Sequence, residues 1–128
     1  MAHAKASIGA TNYAVSITTG QHCLNADEGP RLGGRDVGPA PYDLLCAALG
    51  ACTAITLRMY AERKQWPLRE VHVDVLFKQE GKEGAIARVL NFEGELDDAQ
   101  RARLADIAER TPVTLTLKQG LAITTTLG

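Results

Sequence analysis

The sequence lacks several things, and each absence closes off a class of function. Lysine and arginine are scattered and nearly balanced by acids, leaving a net charge of −1 and no electrostatic footprint for nucleic acid or an anionic membrane. There are only three cysteines, an odd number without the spacing of a disulfide framework, which suits a reducing cytoplasm better than secretion. The histidines His3, His22 and His72 lie far apart, and no cysteine–histidine spacing suits a metal, so neither metal nor cofactor is expected. Glycines Gly33, Gly34 and Gly38 precede a helix as in a phosphate loop, but the lysine and hydroxyl of a P-loop and the strand context of a dinucleotide site are missing. No hydrophobic segment follows the opening Met-Ala-His-Ala-Lys-Ala-Ser, so no signal peptide is expected. Aromatics are few, and there is no repeat, low-complexity tract or linker. The expectation is one α+β domain over residues 1–128 with one modest core.

What is present is one unusual stretch, Pro41 to Gln65. From Leu44 to Leu57 it has no charged side chain, and its apolar and small residues cover every face of a helix. It reads as a buried helix needing partners all round. Asp43 opens it and Arg58, Glu62, Arg63 and Lys64 close it, which argues against a membrane span. Cys46 and Cys52 fall inside. A thiol in such surroundings is either inert filling or a shielded reactive group, and composition leaves both open.

Around this helix the patterns alternate. Ala10 to Thr19 and His22 to Ala26 predict a hairpin across Gly20-Gln21. Asp27 to Pro41, dense in glycine and proline, predicts a loop carrying Arg31 and Arg35 and delivering the chain to the helix. Trp66-Pro67 stops the helix; Val71, Val73, Val75 and Phe77 give a strand, Lys78 to Gly84 a turn, and Ala85 to Leu96 the returning strand. Asp97 precedes a second helix, Ala99 to Glu109. The threonines alternating from Thr111 favour a strand, while Thr111-Pro112 equally suits a helix start; Leu121 to Leu127 predicts a last strand. The order is β-β-α-β-β-α-(α)-β, an α+β arrangement of antiparallel hairpins.

The runs Ala26-Asp-Glu, Leu32-Gly-Gly, Gly38-Pro-Ala-Pro-Tyr-Asp-Leu-Leu, Ala48-Leu-Gly-Ala-Cys-Thr-Ala and Tyr60-Ala-Glu-Arg-Lys-Gln-Trp-Pro-Leu resemble the OsmC/Ohr family. These are osmotically inducible protein C and the organic hydroperoxide resistance proteins. The likeness continues through Glu93-Gly-Glu-Leu-Asp, Arg101 to Ala108 and Thr111-Pro-Val. It implies an intertwined homodimer with a long buried central helix, active sites at the subunit interface, and thiol-dependent reduction of organic hydroperoxides. In that chemistry the attacking cysteine matches Cys52. The family's resolving cysteine stands in a Cys-Pro-Val motif, where this chain has Thr111. An arginine from the preceding loop matches Arg31 best and Arg35 next, and Asp43 is similar to the acidic residue of the Pro-x-(Asp/Glu)-Leu-Leu branch.

Peroxide reduction needs a thiolate, and Cys52 lies too far into its helix for that helix's own dipole to help. A loop guanidinium is suited to hold both thiolate and peroxide oxygen. Asp43 and Cys52, nine positions apart, are separated by about 13 Å along a straight helix and face opposite sides. If Asp43 orients the arginine beside Cys52, it does so in the other subunit's site. Cys46 and Cys52 are about 9 Å apart along the axis, beyond disulfide reach, so an external thiol is expected to resolve Cys52, with Cys23 left open. Plainer roles stand beside these: Asp43 as a dipole partner, Arg31 and Arg35 as solvated loop charges, Thr111 as a cap or a hydrogen-bond donor to the thiolate. The rival function is a non-catalytic dimeric protein binding a small apolar ligand.

Overall fold

A computed structural model describes all 128 residues. The chain divides into two compact units, Met1–Leu45 and Cys46–Gly128, and the central helix starts in the first and continues through the second.

The first unit carries a three-stranded antiparallel sheet, ordered β1 (Lys5–Ile8), β2 (Val15–Thr19), β3 (His22–Ala26). β2 and β3 form the expected hairpin, with Thr19 opposite His22 across Gly20-Gln21. The first expected strand is shortened, because Thr11 to Ala14 closes a turn, Ala14 N–H donating to the Thr11 carbonyl at 3.2 Å. β1 goes unread in the sequence: its residues are all exposed and carry no alternation, so its place comes from pairing with β2. The glycine-rich loop follows as expected, with one short 3-10 turn at Pro30–Leu32.

The second unit takes up helix α1 (Pro41–Lys64), then β4 (Leu68–Glu80), β5 (Glu83–Gly94), α2 (Asp98–Ala108) and α3 (Pro112–Gln119). β4 and β5 form a long antiparallel hairpin in which Val71, Val73, Val75 and Phe77 stand opposite Phe92, Leu90, Arg88 and Ile86. Helix α2 starts with a capping box: the Gln100 N–H donates to the Asp97 carboxylate, and the Gln100 side-chain oxygen accepts from the Asp97 N–H. Such caps contribute about 1 kcal/mol. The open question at Thr111 resolves to helix, because Pro112 suits a first helical position and ends any strand ladder there.

Within this unit α1 buries one stripe at four-residue spacing, Leu49, Thr53, Leu57 and Ala61. Leu57 and Ala61 pack with Leu68, Leu96, Leu104 and Ala108. Full burial of a leucine such as Leu57 or Leu104 is worth roughly 1.5–3 kcal/mol. The all-round burial expected of α1 is not completed by one chain: Ile55 and Met59 are 54% and 57% exposed. By length and composition α1 also passes as a membrane span, so the flanking charges alone do not exclude one. Its packing against α2 and the hairpin makes it a core helix.

One expected element is not formed. Leu121 to Leu127 makes neither helix nor strand and joins neither sheet, and Leu121, Ile123 and Leu127 stand exposed. The order is therefore β-β-β-α-β-β-α-α, still an α+β arrangement with antiparallel sheets.

Candidate active site around Cys52

The loop that bears the two candidate arginines is built on Asp27. This carboxylate is 2% exposed and accepts four backbone N–H groups: Tyr13 and Glu28 on Oδ1 at 3.1 and 2.7 Å, Arg35 and Val37 on Oδ2 at 3.2 Å each. The chain closes tightly round it. A Cβ at Gly34 would strike the Glu28 carbonyl, and one at Gly38 the Asn25 carbonyl, so both positions need glycine. Burial alone pushes the Asp27 carboxyl up, but the four donors outweigh it and leave the pKa below the ordinary 3.8. With the charged form favoured in the fold, its contribution to loop order is full above the ordinary carboxylate range and is lost as pH falls through the lowered value. Asp27→Asn keeps one accepting oxygen. The protection factors of the Arg35 and Val37 amides are then expected to fall at least about tenfold at neutral pH, and wild-type protection should fall toward the same value on strong acidification. Unchanged protection would refute this role for Asp27.

Arg31 and Arg35 are exposed on this loop, Arg31 in the 3-10 turn and Arg35 tied by its backbone to Asp27. Asp43 sits exposed in the first turn of α1, where a carboxylate favours the helix dipole. These three residues belong to the first unit and Cys52 to the second.

Cys52 is half-buried on α1, and the polar group facing its sulfur is a backbone donor: the Val113 N–H reaches Sγ with N···S of 3.5 Å. Helix geometry explains that donor. Thr111 is the N-cap of α3 and Pro112 has no N–H, so Val113 offers the first of the orphan amides at the helix start. The N-terminal end of a helix favours negative charge, thiolate included. Residue types carry no mark of a backbone donor, so the sequence points only to side chains, a loop arginine or the Thr111 hydroxyl. The Thr111 hydroxyl does not act as a cap or on the sulfur; it pairs with Thr114 Oγ1 at 2.6 Å.

Arg88 is the other group that sequence reasoning missed. It rises from the inward face of β5 with a side chain only 11% exposed. One terminal nitrogen donates to Thr53 Oγ1 and Thr114 Oγ1, each at 2.9 Å; the other donates to the Ala108 carbonyl at 2.8 Å and Glu109 Oε2 at 2.9 Å. The period of two that places Ile86 and Leu90 inward also places Arg88 inward, and this was the available signal. Beside it lies a cavity of about 740 Å³ lined by Leu49, Phe77, Ile86, Leu90 and Leu117 with Arg88 at its wall.

On the outer side of the hairpin, pairing of the two strands brings Glu70, His72 and Glu93 together, with ligand-type atoms within 4.8 Å of one another. One-dimensional spacing hides this cluster. All three residues are solvated, and His72 Nε2 lies 3.6 and 3.5 Å from the two carboxylates, as in surface ion pairs.

The family model of OsmC-like protein matches residues 33–126, which contain Arg35, Asp43 and Cys52 but not Arg31. The chain belongs to the OsmC-like family. No curated protein sequence matches it. Among solved structures it is similar to an OsmC-like protein from Mycoplasma pneumoniae, with a TM-score of 0.80 at 16% identity over 92% of this chain and 87% of that one. It is also similar to the organic hydroperoxide resistance protein OsmC from Legionella pneumophila, with a TM-score of 0.68 at 22% identity over 92% and 89%. The organic hydroperoxide resistance protein OhrB of Bacillus subtilis gives 0.63 at 23% identity over 91% and 90%. At these identities the likeness establishes the fold.

Proposed function

We propose that the protein is a cytoplasmic, homodimeric thiol-dependent peroxidase that reduces organic hydroperoxides through Cys52. One observation carries the reading: the first free amide of α3 points at the Cys52 sulfur, a contact that favours a negative charge there. The thiolate attacks one peroxide oxygen; the S–O bond forms as the O–O bond breaks. The electron pair of that bond leaves on the alkoxide, which takes up a proton to become the alcohol, and Cys52 is left as a sulfenic acid. Because Thr111 stands where a resolving cysteine would, an external thiol finishes the cycle. A first thiol forms a mixed disulfide and releases water, and a second frees Cys52 and carries off the disulfide. Arg31 or Arg35 binds the thiolate and peroxide oxygen, and Asp43 of the second copy orients that arginine.

Mass spectrometry tests the cycle. After one equivalent of cumene hydroperoxide, the Cys52 peptide should carry a dimedone-trapped sulfenic acid and no disulfide to Cys23. A stoichiometric Cys23–Cys52 bridge overturns the single-cysteine cycle. No thiol loss at all rejects the peroxidase and favours the second reading, a non-catalytic dimeric protein holding a small apolar ligand, which the 740 Å³ apolar cavity supports.

A further inference from the structure

A guanidinium on an apolar strand face is costly to desolvate and persists only where its donors are met. Arg88 stands opposite Val75 and between the inward residues Ile86 and Leu90, and its terminal nitrogens make four hydrogen bonds that reach three different helices. Thr53 is on α1, Ala108 is the last residue of α2, where a cation suits both the orphan carbonyl and the dipole, and Thr114 is on α3.

The positions of the two threonines matter more than their number. Thr53 directly follows Cys52, and Thr114 directly follows Val113. Both partners of the sulfur contact are thus one residue away from a bond to the same side chain. Neither threonine hydroxyl is idle: Thr53 donates to the Leu49 carbonyl at 2.7 Å, and Thr114 shares a proton with Thr111 at 2.6 Å. The Glu109 carboxylate at 2.9 Å offsets the charge of Arg88, and both terminal nitrogens are spent on protein partners. Arg88 is therefore poorly placed to bind substrate and well placed to fix the spacing of the helices.

We infer that Arg88 is a positioning residue for Cys52: by clamping Thr53 and Thr114 it holds α1 and α3 in the register that aims the Val113 N–H at the sulfur. This rests on the reading of Cys52 as the reactive thiol. A lysine in its place keeps the charge but cannot span the four acceptors with a planar fork. A hydrogen bond weakens steeply as its length and angle drift, so a modest loss of register is enough to remove the support of the thiolate.

The test follows alkylation of the Cys52 peptide by iodoacetamide in the full-length protein, with exposed Cys23 as the internal reference thiol. For Arg88→Lys, the Cys52 rate at neutral pH should fall about tenfold, while at about pH 10, where thiols are ionised regardless, it should match wild type. Thr114→Val, nearly isosteric, removes one clamp point and should fall in the same direction, and Thr114→Ser should restore the wild-type rate. Should Arg88→Lys fail to fold, the Thr114 pair decides alone. Wild-type rates at both pH values in the folded variants overturn the inference. So does an equal fall at both, which marks altered access instead of lost thiolate support. If wild-type Cys52 alkylates no faster than Cys23 at neutral pH, the reactive-thiol reading itself is gone, and the clamp has nothing to position.

Discussion

Cys52→Ser is expected to consume cumene hydroperoxide at least about a thousandfold more slowly than wild type with excess dithiothreitol as reductant. The effect is large because every chemical step of the proposed cycle passes through the sulfur. A serine hydroxyl stays protonated at neutral pH, and the Val113 N–H that favours charge on sulfur cannot bridge that gap. The substitution is nearly isosteric at a half-buried position, so the loss of stability should stay within about 1 kcal/mol, and the circular dichroism spectrum should be unchanged. Cys23→Ser and Cys46→Ser should retain most of the rate, Cys46 because helix geometry keeps it out of disulfide reach of Cys52. Turnover surviving in Cys52→Ser would move the chemistry to another thiol and leave the start of α3 with no thiolate to support.

The parts of the fold that can be read from sequence are those whose periodicity is local. Val71, Val73, Val75 and Phe77 announce β4, and the uncharged run from Leu44 to Leu57 announces α1, because a one-dimensional pattern suffices for each. Sequence and structure part where pairing decides. β1 forms from exposed Lys5-Ala-Ser-Ile because β2 lies beside it, whereas Leu121 to Leu127, despite its alternation, pairs with no strand of the chain and stays irregular. The candidate site divides in the same way. Cys52, Arg31, Arg35 and Asp43 can be named from motif resemblance. The Val113 amide cannot, since a backbone donor has no residue type of its own. Asp27 belongs to the family-like run Ala26-Asp-Glu, but its task of gathering four amides exists only once the loop has closed. Arg88 is legible in principle, as a charge at an inward strand position, and such a charge in an apolar ladder calls for partners to be sought.

If the proposed dimeric peroxidase packs through α1, Ile55→Glu is expected to raise the dissociation constant of that dimer by at least about a hundredfold and to abolish turnover with it. Helix α1 has two apolar sides. The stripe Leu49, Thr53, Leu57 and Ala61 is covered by the chain itself, whereas Ala48, Ala51, Ile55 and Met59, spaced three and four apart, form a second stripe that is exposed. Small residues at one end and Ile55 and Met59 at the other suit close approach of a second helix, and in a two-fold contact each substitution acts twice. A carboxylate at Ile55 would then be buried without a partner in both copies, whereas on the exposed surface of a monomer it costs little. The folded monomer should therefore survive with a near-native circular dichroism spectrum, and sedimentation velocity reads the change in mass. On the proposed shared site activity follows the dimer: nine positions on a straight helix put Asp43 and Cys52 on opposite sides and about 13 Å apart along its axis, so in that reading the acid comes from the other copy. Ile55→Glu that still sediments as a dimer refutes the contact face; a monomer with full turnover leaves that face standing and refutes the shared site.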